Sequence, residues 1–308
     1  MYQRKFLSVL LSALLLLTTM GTALAAVPDT ADARLAAVEQ AAYGQEQTGA
    51  LSDRIVRLEK ELELTKGQSS MMDRVNALYN RMFDNTSAPS LMTQMNAIEW
   101  SIEHKVSMDS IQNRITVMET TINGKPATGT FQSRIDKLAT FAFGSKTVPV
   151  TQVNVPANTL VKISLITPVS SKNIKKGDII QYQVAEDVVQ NGMLIFAKGA
   201  PGEGTVTKVE PARNFGRDAE VVIDFRTARA VDGTTVDMML GEESRKEMKT
   251  MAMAAGASIA GIVVLGPIGV VAGAFVNGKN INLPAGTELY IQTKGDTTLY
   301  GIPTTTQQ

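Results

Sequence analysis

The side chains that most often carry chemistry are sparse in this sequence, which has no cysteine and a single histidine. His104 follows Glu99 and Glu103, and carboxylates four residues apart share one face of a helix. Such a trio could bind a divalent metal, but two acids and one histidine on a polar helix face are far more often solvated surface. The sequence therefore predicts no metal site and no cofactor.

Two other patterns that can indicate catalysis also lack the neighbouring sequence features that such sites require. The glycine-rich stretch GAPGEG, residues 199–204, runs into the strand-like TVTKV instead of a helix N-terminus, and no Lys-Ser/Thr pair closes it. A Ser-His-Asp set would have to use His104, far away in the helical half. These observations predict that the protein is not an enzyme.

Charge and the N-terminus bear on partners and location. The 30 basic and 30 acidic residues cancel and aromatic residues make up 5% of the chain, which argues against a nucleic-acid partner. MYQRKF is followed by the apolar LSVLLSALLLL and by small residues ending at Ala25. This order is typical of a secretory signal peptide, so we expect residues 1–25 to be removed and the chain to be exported.

Residues 30–143 are built from a repeated unit. RLAAVE, RIVRLE, RVNALY, QMNAIE, RITVME and RIDKLA begin at residues 34, 54, 74, 94, 114 and 134. Their second and fifth positions are always apolar, and flanking apolar residues extend the spacing to the 4-3-4 rhythm of a coiled coil. Breakers at residues 44–49, 84–90 and 124–130 divide the region after every second unit. The pattern predicts an elongated, segmented helical stalk.

Charged residues suggest how such helices would pair. If Ile55 and Leu58 occupy a and d positions, Arg54 and Glu59 flank the seam and could pair between parallel chains. The hexad R-h-x-x-h-E resembles the trimerisation motif of short parallel coiled coils, although Tyr79, Gln94 and Ala139 depart from it. The alternative is intramolecular helical hairpins with arginine and glutamate on a solvated face. The residues predicted to mediate oligomerisation are Arg34, Glu39, Arg54, Ile55, Leu58, Glu59, Arg114, Ile115, Met118 and Glu119.

The second half of the chain has the periodicity of β-structure. Residues 144–158 have a linker composition, and from 159 to 295 short alternating segments are separated by turn signals such as Asn191-Gly192. This spacing predicts a small antiparallel barrel or sandwich, with residues 296–308 as a tail. The fold class is thus α+β in separate domains.

The order of these segments resembles the β-domain of the TrbI family, proteins that line the outer-membrane end of conjugation and type IV secretion channels. The resemblance covers about 155–295 and rests on short motifs, among them IFAKGAPGEG and LPAGTELYI. Two features depart from the family: Ala197 stands where it tends to have proline, and a cleavable signal replaces its inner-membrane helix. The resemblance implies an apolar two-helix insertion before the last strand that enters the outer membrane.

Residues 251–276 match that position and contain no charged side chain. The flanking segments look like strands of one sheet, so a single membrane crossing would separate strands that must pair. Gly266-Pro267 near the midpoint predicts a helical hairpin instead. Small residues allow close packing in membranes. The residues predicted for this role are Gly256, Gly261, Gly266, Pro267, Gly269 and Gly273. The hairpin would enter the membrane or a ring of protomers, or else pack against the barrel.

Together these features predict an exported, non-enzymatic envelope protein in the periplasm, associated with the outer membrane. It would be an oligomeric tether, scaffold or channel component, self-associating as a homo-oligomer such as a trimer, and binding the outer membrane or another envelope protein. The alternative is a soluble periplasmic binding module whose β-domain binds a peptide or glycan ligand.

Overall fold

The computed structural model describes residues 28–64, 69–212, 219–254, 263–264, 270–272 and 281–304. Within these residues, six helices precede a β-rich region that contains a seventh helix, so the α+β organisation predicted from the sequence is present. The predicted signal peptide lies outside the described residues.

The six N-terminal helices follow the sequence repeat, one helix to each unit. Five of them begin after a serine or threonine whose hydroxyl accepts the backbone N–H three residues later, which satisfies one free donor at the helix start. Several end at a residue in the left-handed conformation, such as Gly44 and Gly124. They are α1 Ala31–Tyr43, α2 Leu51–Glu61, α3 Met71–Phe83, α4 Leu91–Glu103, α5 Ile111–Asn123 and α6 Phe131–Phe143.

The elongated stalk is a wrong prediction. The chain breaks after every repeat instead of every second one, leaving helices of 11–13 residues. These helices fold back on one another, since α1 packs against both α3 and α5. The predicted seam residues Ile55, Leu58, Ile115 and Met118 are fully buried in the core that this packing creates. They are therefore unavailable as a seam between chains.

The β-rich region is built on a closed antiparallel barrel of six strands. Their order around the ring is β8-β7-β4-β2-β13-β9, and β9 closes it by pairing with β8 as well as with β13. The alternating apolar residues of β2, β4 and β8 point inward and are buried, among them Ile163, Tyr182 and Phe225. The elements are β1 Thr151–Val155, β2 Leu160–Leu165, β3 Val169–Ser170, β4 Ile179–Val184, β5 Val188–Gln190, β6 Met193–Phe196, β7 Pro201–Glu210, β8 Glu220–Arg229, β9 Thr235–Met239, α7 Glu242–Ala254, β10 Val263–Val264, β11 Val270–Ala272, β12 Asn282–Leu283, β13 Glu288–Thr293 and β14 Thr297–Pro303.

Both boundaries of the β-region differ from the prediction. The expected linker 144–158 contains β1, and the expected tail 296–308 contains β14, with which β1 pairs. Val155 and Leu299 from this pair are buried in the barrel core. Pro149 and Pro156 give residues 144–158 their linker composition, but they flank the short strand β1. In a strand of this length the alternation of polar and apolar residues does not stand out.

The glycine-rich stretch 199–204 allows close packing of β7 against its neighbours. A Cβ on Gly202 would lie 2.2 Å from the ring of Tyr182, whose hydroxyl donates to the carbonyl of Thr227. A Cβ on Gly204 would lie 2.8 Å from the carbonyl oxygen of Asp224. Glycine is therefore required where β7 crosses the inward-pointing tyrosine and approaches β8.

The apolar run begins as the last turn of α7 and then changes conformation. Val263–Val264 and Val270–Ala272 are strands that pair antiparallel, and the second also pairs with β8. The prediction of helix is wrong in these two strands, whose β-branched valines extend the barrel sheet instead. The predicted hairpin residues Gly256, Gly261, Gly266, Pro267, Gly269 and Gly273 lie outside the described residues. In the part of the chain that the structure describes, no helix is long and apolar enough to cross a membrane.

Candidate functional site: the Arg–Glu clamps and the joint with the barrel

A recurring ion pair, here called the clamp, ties one helix to the next at four of the five junctions between the six repeat helices. The carboxylate of Glu119 on α5 accepts the backbone N–H of Ala127 in the following connector at 2.8 Å. The same carboxylate accepts hydrogen bonds from Nε and Nη2 of Arg134 on α6, at 3.0 and 2.6 Å. One carboxylate therefore fixes a helix, its connector and the next helix.

The same ion pair recurs at three other junctions of the described repeats. Glu39 accepts from Arg54, at 2.6 Å to Nη2, and Glu59 accepts from Arg74 at the same distance. Glu99 pairs with Arg114 at 2.7 Å. In every clamp the arginine follows the glutamate by 15 residues. Buried charges need such charge-assisted, bidentate partners because desolvation alone would cost several kcal/mol.

This pairing corrects the sequence prediction. The hexad predicts that Arg34/Glu39, Arg54/Glu59 and Arg114/Glu119 face one another across parallel chains. The structure instead pairs Arg54 with Glu39 and Arg114 with Glu99, in each case the glutamate of the preceding repeat in the same chain. The alternative correctly expects the helices to pack within one chain, but its solvated face is wrong, because Glu39, Glu59, Glu99 and Glu119 are buried.

The two ends of the repeat series also fit this pairing. Arg34 has no preceding repeat, and its guanidinium donates instead to the carbonyl of Pro28 and to Asn76. The same guanidinium lies 5.8 Å from the ring centre of Tyr79. Ala139, which replaces the glutamate, has no following repeat whose arginine would need a carboxylate. Both ends are therefore consistent with a clamp that links neighbouring repeats.

The remaining departure lies at the junction of α3 and α4, where Tyr79 replaces the glutamate and Gln94 the arginine. No clamp forms across residues 71–103, all of which the structure describes. The barrel contacts the helices at this junction. Asn85 and Thr93 both donate to the carbonyl of Asp232 at 2.9 Å.

Asn96 on α4 completes this contact by donating to the carbonyl of Val231 at 2.7 Å. We call the set Asn85, Thr93, Asn96, Val231 and Asp232 the joint. Apolar side chains from the barrel side enter the helical core around it, and these are Leu194, Ala197, Val231 and Ile302. The joint therefore combines directed hydrogen bonds with a shared apolar core.

The joint is anchored on the barrel side by the buried Asp232. Its carboxylate accepts the backbone N–H groups of Thr234 at 2.8 Å and Tyr300 at 2.9 Å. Burial raises the pKa of Asp232, and these hydrogen bonds oppose the rise. The backbone N–H of Val231 donates to Ile195, so the turn between β8 and β9 is held to both β6 and β14.

The joint and one clamp share a residue. Asn96 accepts Nη2 of Arg114 at 2.7 Å while its amide nitrogen donates to the barrel. The side chain of Arg114 is 0% exposed, and burial lowers its pKa against the opposing effect of Glu99. The clamp between α4 and α5 is thus the one most dependent on its carboxylate.

The histidine trio is not assembled. His104 ends α4 in the left-handed conformation, at φ 51°, while Glu99 is buried in its clamp. The expectation that Glu99 lies on a solvated face is therefore wrong. Among the described residues, no group of three or more His, Cys, Asp or Glu side chains could hold a metal ion.

No family model and no curated protein matches this chain. Solved structures do, among them ComB10 of the Com type IV secretion system of Helicobacter pylori, with 13% sequence identity and a TM-score of 0.26. The match covers 46% of this chain and 88% of that one.

Proposed function

We propose that this protein is a non-enzymatic structural component of the cell envelope, exported to the periplasm of a diderm bacterium. In this proposal the helices and the barrel form one rigid scaffold. The apolar run 251–276 attaches that scaffold to the outer membrane or to neighbouring protomers. The signal-like N-terminus and the TrbI resemblance support the location.

The observation that carries the proposal is the position of the apolar run. The barrel closes through β9, which pairs with β8 and β13, so the ring is complete without residues 251–276. The run follows β9 and most of α7 and precedes β12, and among its described residues Val270–Ala272 pair with the barrel through β8. A long uncharged stretch that the ring does not need is typical of an attachment segment, since large apolar surfaces mark membrane or protein contacts.

The clamps and the joint support the scaffold role. Four buried ion pairs fix successive helices, and three side-chain amide or hydroxyl groups fix α4 and its connector to the barrel. Ile55 and Ile115 are buried within one chain, so they offer no seam for self-association. Homo-oligomers would instead form through the apolar run.

The proposal is tested by fractionating cells that express the full chain or a variant whose residues 251–276 are replaced by a Gly-Ser segment of equal length. We expect the full chain to sediment with outer membranes and the variant to remain in the soluble periplasmic fraction. Keeping the segment length constant controls for altered closure of the barrel.

The outcome depends on the variant being folded, which its far-UV circular dichroism and a cooperative urea transition report. A folded variant that still sediments with outer membranes would show that the apolar run is not the attachment segment. A full chain that stays soluble would contradict the membrane half of the proposal, and sedimentation velocity would then test the ring half.

A further inference from the structure

A cavity of ≈ 320 Å³ lies at the junction that lacks a clamp. It opens to solvent, because Asn80, Ser87 and Ala88 on its wall are exposed. This volume lies at the lower end of the range for ligand pockets in proteins. The cavity is lined by Asn80, Arg81, Asp84, Ser87, Ala88, Pro89, Ser90 and Gln94.

Comparison with the clamped junctions shows what this cavity replaces. At three of those junctions, the ones that contain Glu39, Glu99 and Glu119, the glutamate accepts hydrogen bonds from the backbone N–H eight residues on and from the arginine fifteen residues on. Counting from Tyr79, the equivalent positions are Ser87 and Gln94, and both line the cavity. Tyr79 itself packs against Phe83, at 5.0 Å between ring centres, so no side chain of the repeat supplies the carboxylate.

The donors at this junction lack the partner that the other junctions provide. The backbone N–H of Ser87 has no acceptor among the described residues, whereas the equivalent N–H groups of Gln47, Ser107 and Ala127 each bond a carboxylate. Gln94 donates to the carbonyl of Pro89 at 2.9 Å.

Arg81 adds a positive charge to the cavity wall. Its Nη2 donates to Gln132 at 3.2 Å, and burial lowers its pKa, partly offset by the charge of Asp136. A guanidinium that is partly desolvated and bonded mainly to a neutral amide is well suited to a carboxylate, which offers charge and bidentate geometry together.

We propose that the cavity binds a carboxylate presented by a partner polypeptide, an Asp or Glu side chain that occupies the place of the clamp glutamate. Ser87 N–H, Arg81 and Gln94 are the donors. The cavity is open, so the rest of the partner chain can lie outside it. The inference rests on the repeat comparison and not on the proposed envelope function.

The one acidic side chain on the cavity wall does not take the place of the clamp glutamate. Asp84 lines the cavity, and its two carboxylate oxygens accept the N–H and the hydroxyl of Thr86 at 2.9 Å. Asp84 is therefore engaged within its own connector and leaves the donors of Ser87, Arg81 and Gln94 to the partner.

The test uses the mature chain labelled with ¹⁵N and the peptide acetyl-Gly-Ser-Glu-Ser-Gly-amide, with a twin in which glutamine replaces glutamate. We expect the amide resonance of Ser87 to shift on titration and to saturate with a Kd of about 1 mM for the glutamate peptide only. Equal shifts with both peptides, or no saturation by about 10 mM, would overturn the proposal.

Matched variants identify the donors. Arg81→Gln should weaken binding about tenfold, the loss of roughly 1.4 kcal/mol expected for a charge-assisted hydrogen bond, while Arg57→Gln on the exposed face of α2 should leave it unchanged. Equal weakening by both variants would show a general charge effect and would contradict the site. Sodium acetate should bind more weakly than the peptide; equal affinity would refute recognition of a polypeptide.

A double variant tests the site by supplying the glutamate and arginine that this junction lacks. Tyr79→Glu combined with Gln94→Arg restores the residues of the clamp and should abolish the peptide-induced shift of Ser87. A folded double variant that still binds the glutamate peptide with unchanged affinity would contradict the proposal. If the double variant does not fold, the comparison of Arg81→Gln with Arg57→Gln still decides.

Discussion

Five connectors join the six helices of the repeat, and the junction of α3 and α4 differs from the other four. Four junctions are held by a buried clamp within the helical region, whereas this one is held by contacts with the barrel. The same repeat unit can thus be completed either by its neighbour in the repeat or by another region of the molecule. In the sequence, this junction is identified by Tyr79 in place of the glutamate and Gln94 in place of the arginine.

The largest effect is expected where a clamp is most buried. Glu99→Ala leaves Arg114, 0% exposed, without its carboxylate and should cost about 3–5 kcal/mol of the free energy of unfolding. Glu59→Ala should cost less, about 1–2 kcal/mol, because Arg74 is 17% exposed and can bond water. Urea unfolding of the two variants measures the difference. Equal losses would show that burial does not set the strength of a clamp.

The joint should be weaker than the most buried clamp but should affect both regions. Asn96→Ala removes the donor to Val231 and the acceptor for Arg114, which we expect to cost about 2 kcal/mol. With the joint loosened, the helices should unfold before the barrel. Fluorescence of Trp100, the only tryptophan, and far-UV circular dichroism should then give separate urea midpoints. Coincident midpoints would contradict this role of Asn96.

The contributions of the clamp residue Glu119 and the joint residue Asp232 to the free energy of unfolding should change with pH in opposite directions. Burial alone would raise the pKa of Glu119, but hydrogen bonds from Arg134 and Ala127 and the nearby positive charges hold it below its usual value. That stabilisation is present above the unfolded-state pKa and is lost as pH falls through the folded-state pKa. The pKa of Asp232 is raised by burial, so its cost is present above the folded-state pKa and is relieved as pH falls through it.

Free energies of unfolding between neutral and mildly acidic pH test these signs. Glu119→Gln should lessen the loss of stability on acidification, and Asp232→Asn should increase it by removing the compensating gain. Asp29→Asn, at an exposed carboxylate outside the clamps and the joint, is a control for the change in net charge. The same direction of change in both variants would contradict the assignment.

The smallest effect is expected from adding a clamp. Tyr79→Glu with Gln94→Arg should change the free energy of unfolding by at most about 1 kcal/mol, since the gain of a paired charge is largely cancelled by its desolvation. The double variant also removes the stacking of Arg34 on Tyr79. A gain above roughly 3 kcal/mol would mean that the junction is strained without its clamp.

Much of the fold could be predicted from local patterns. The period of the repeat, the serine and threonine caps and the alternating residues of β2, β4 and β8 all correspond to structure. Heptad reasoning failed because apolar spacing on one face is the same whether the face meets another chain or another helix of the same chain. A signal for the true pairing was present. The glutamate that ends one unit and the arginine that opens the next occur together, or are absent together as at Tyr79 and Gln94.

Other features had no local signal. The joint uses the backbone carbonyls of Val231 and Asp232, which any residue type supplies, so its location depends on tertiary packing. β1 and β14 are ends of the β-region that become strands because they pair with each other. Asn96 and Arg81 resemble ordinary helix-surface residues until their partners Arg114 and Gln132 are brought near by the fold.

The central claim is that the charged residues pair within one chain, between consecutive repeats. Two double-mutant cycles on the mature protein test it most directly, one for Glu59 with Arg74 and one for Glu59 with Arg54. We predict a coupling energy of about 1–3 kcal/mol for Glu59 with Arg74 and roughly zero for Glu59 with Arg54. Coupling confined to Arg54 and Glu59, the pair expected between parallel helices, would contradict the account.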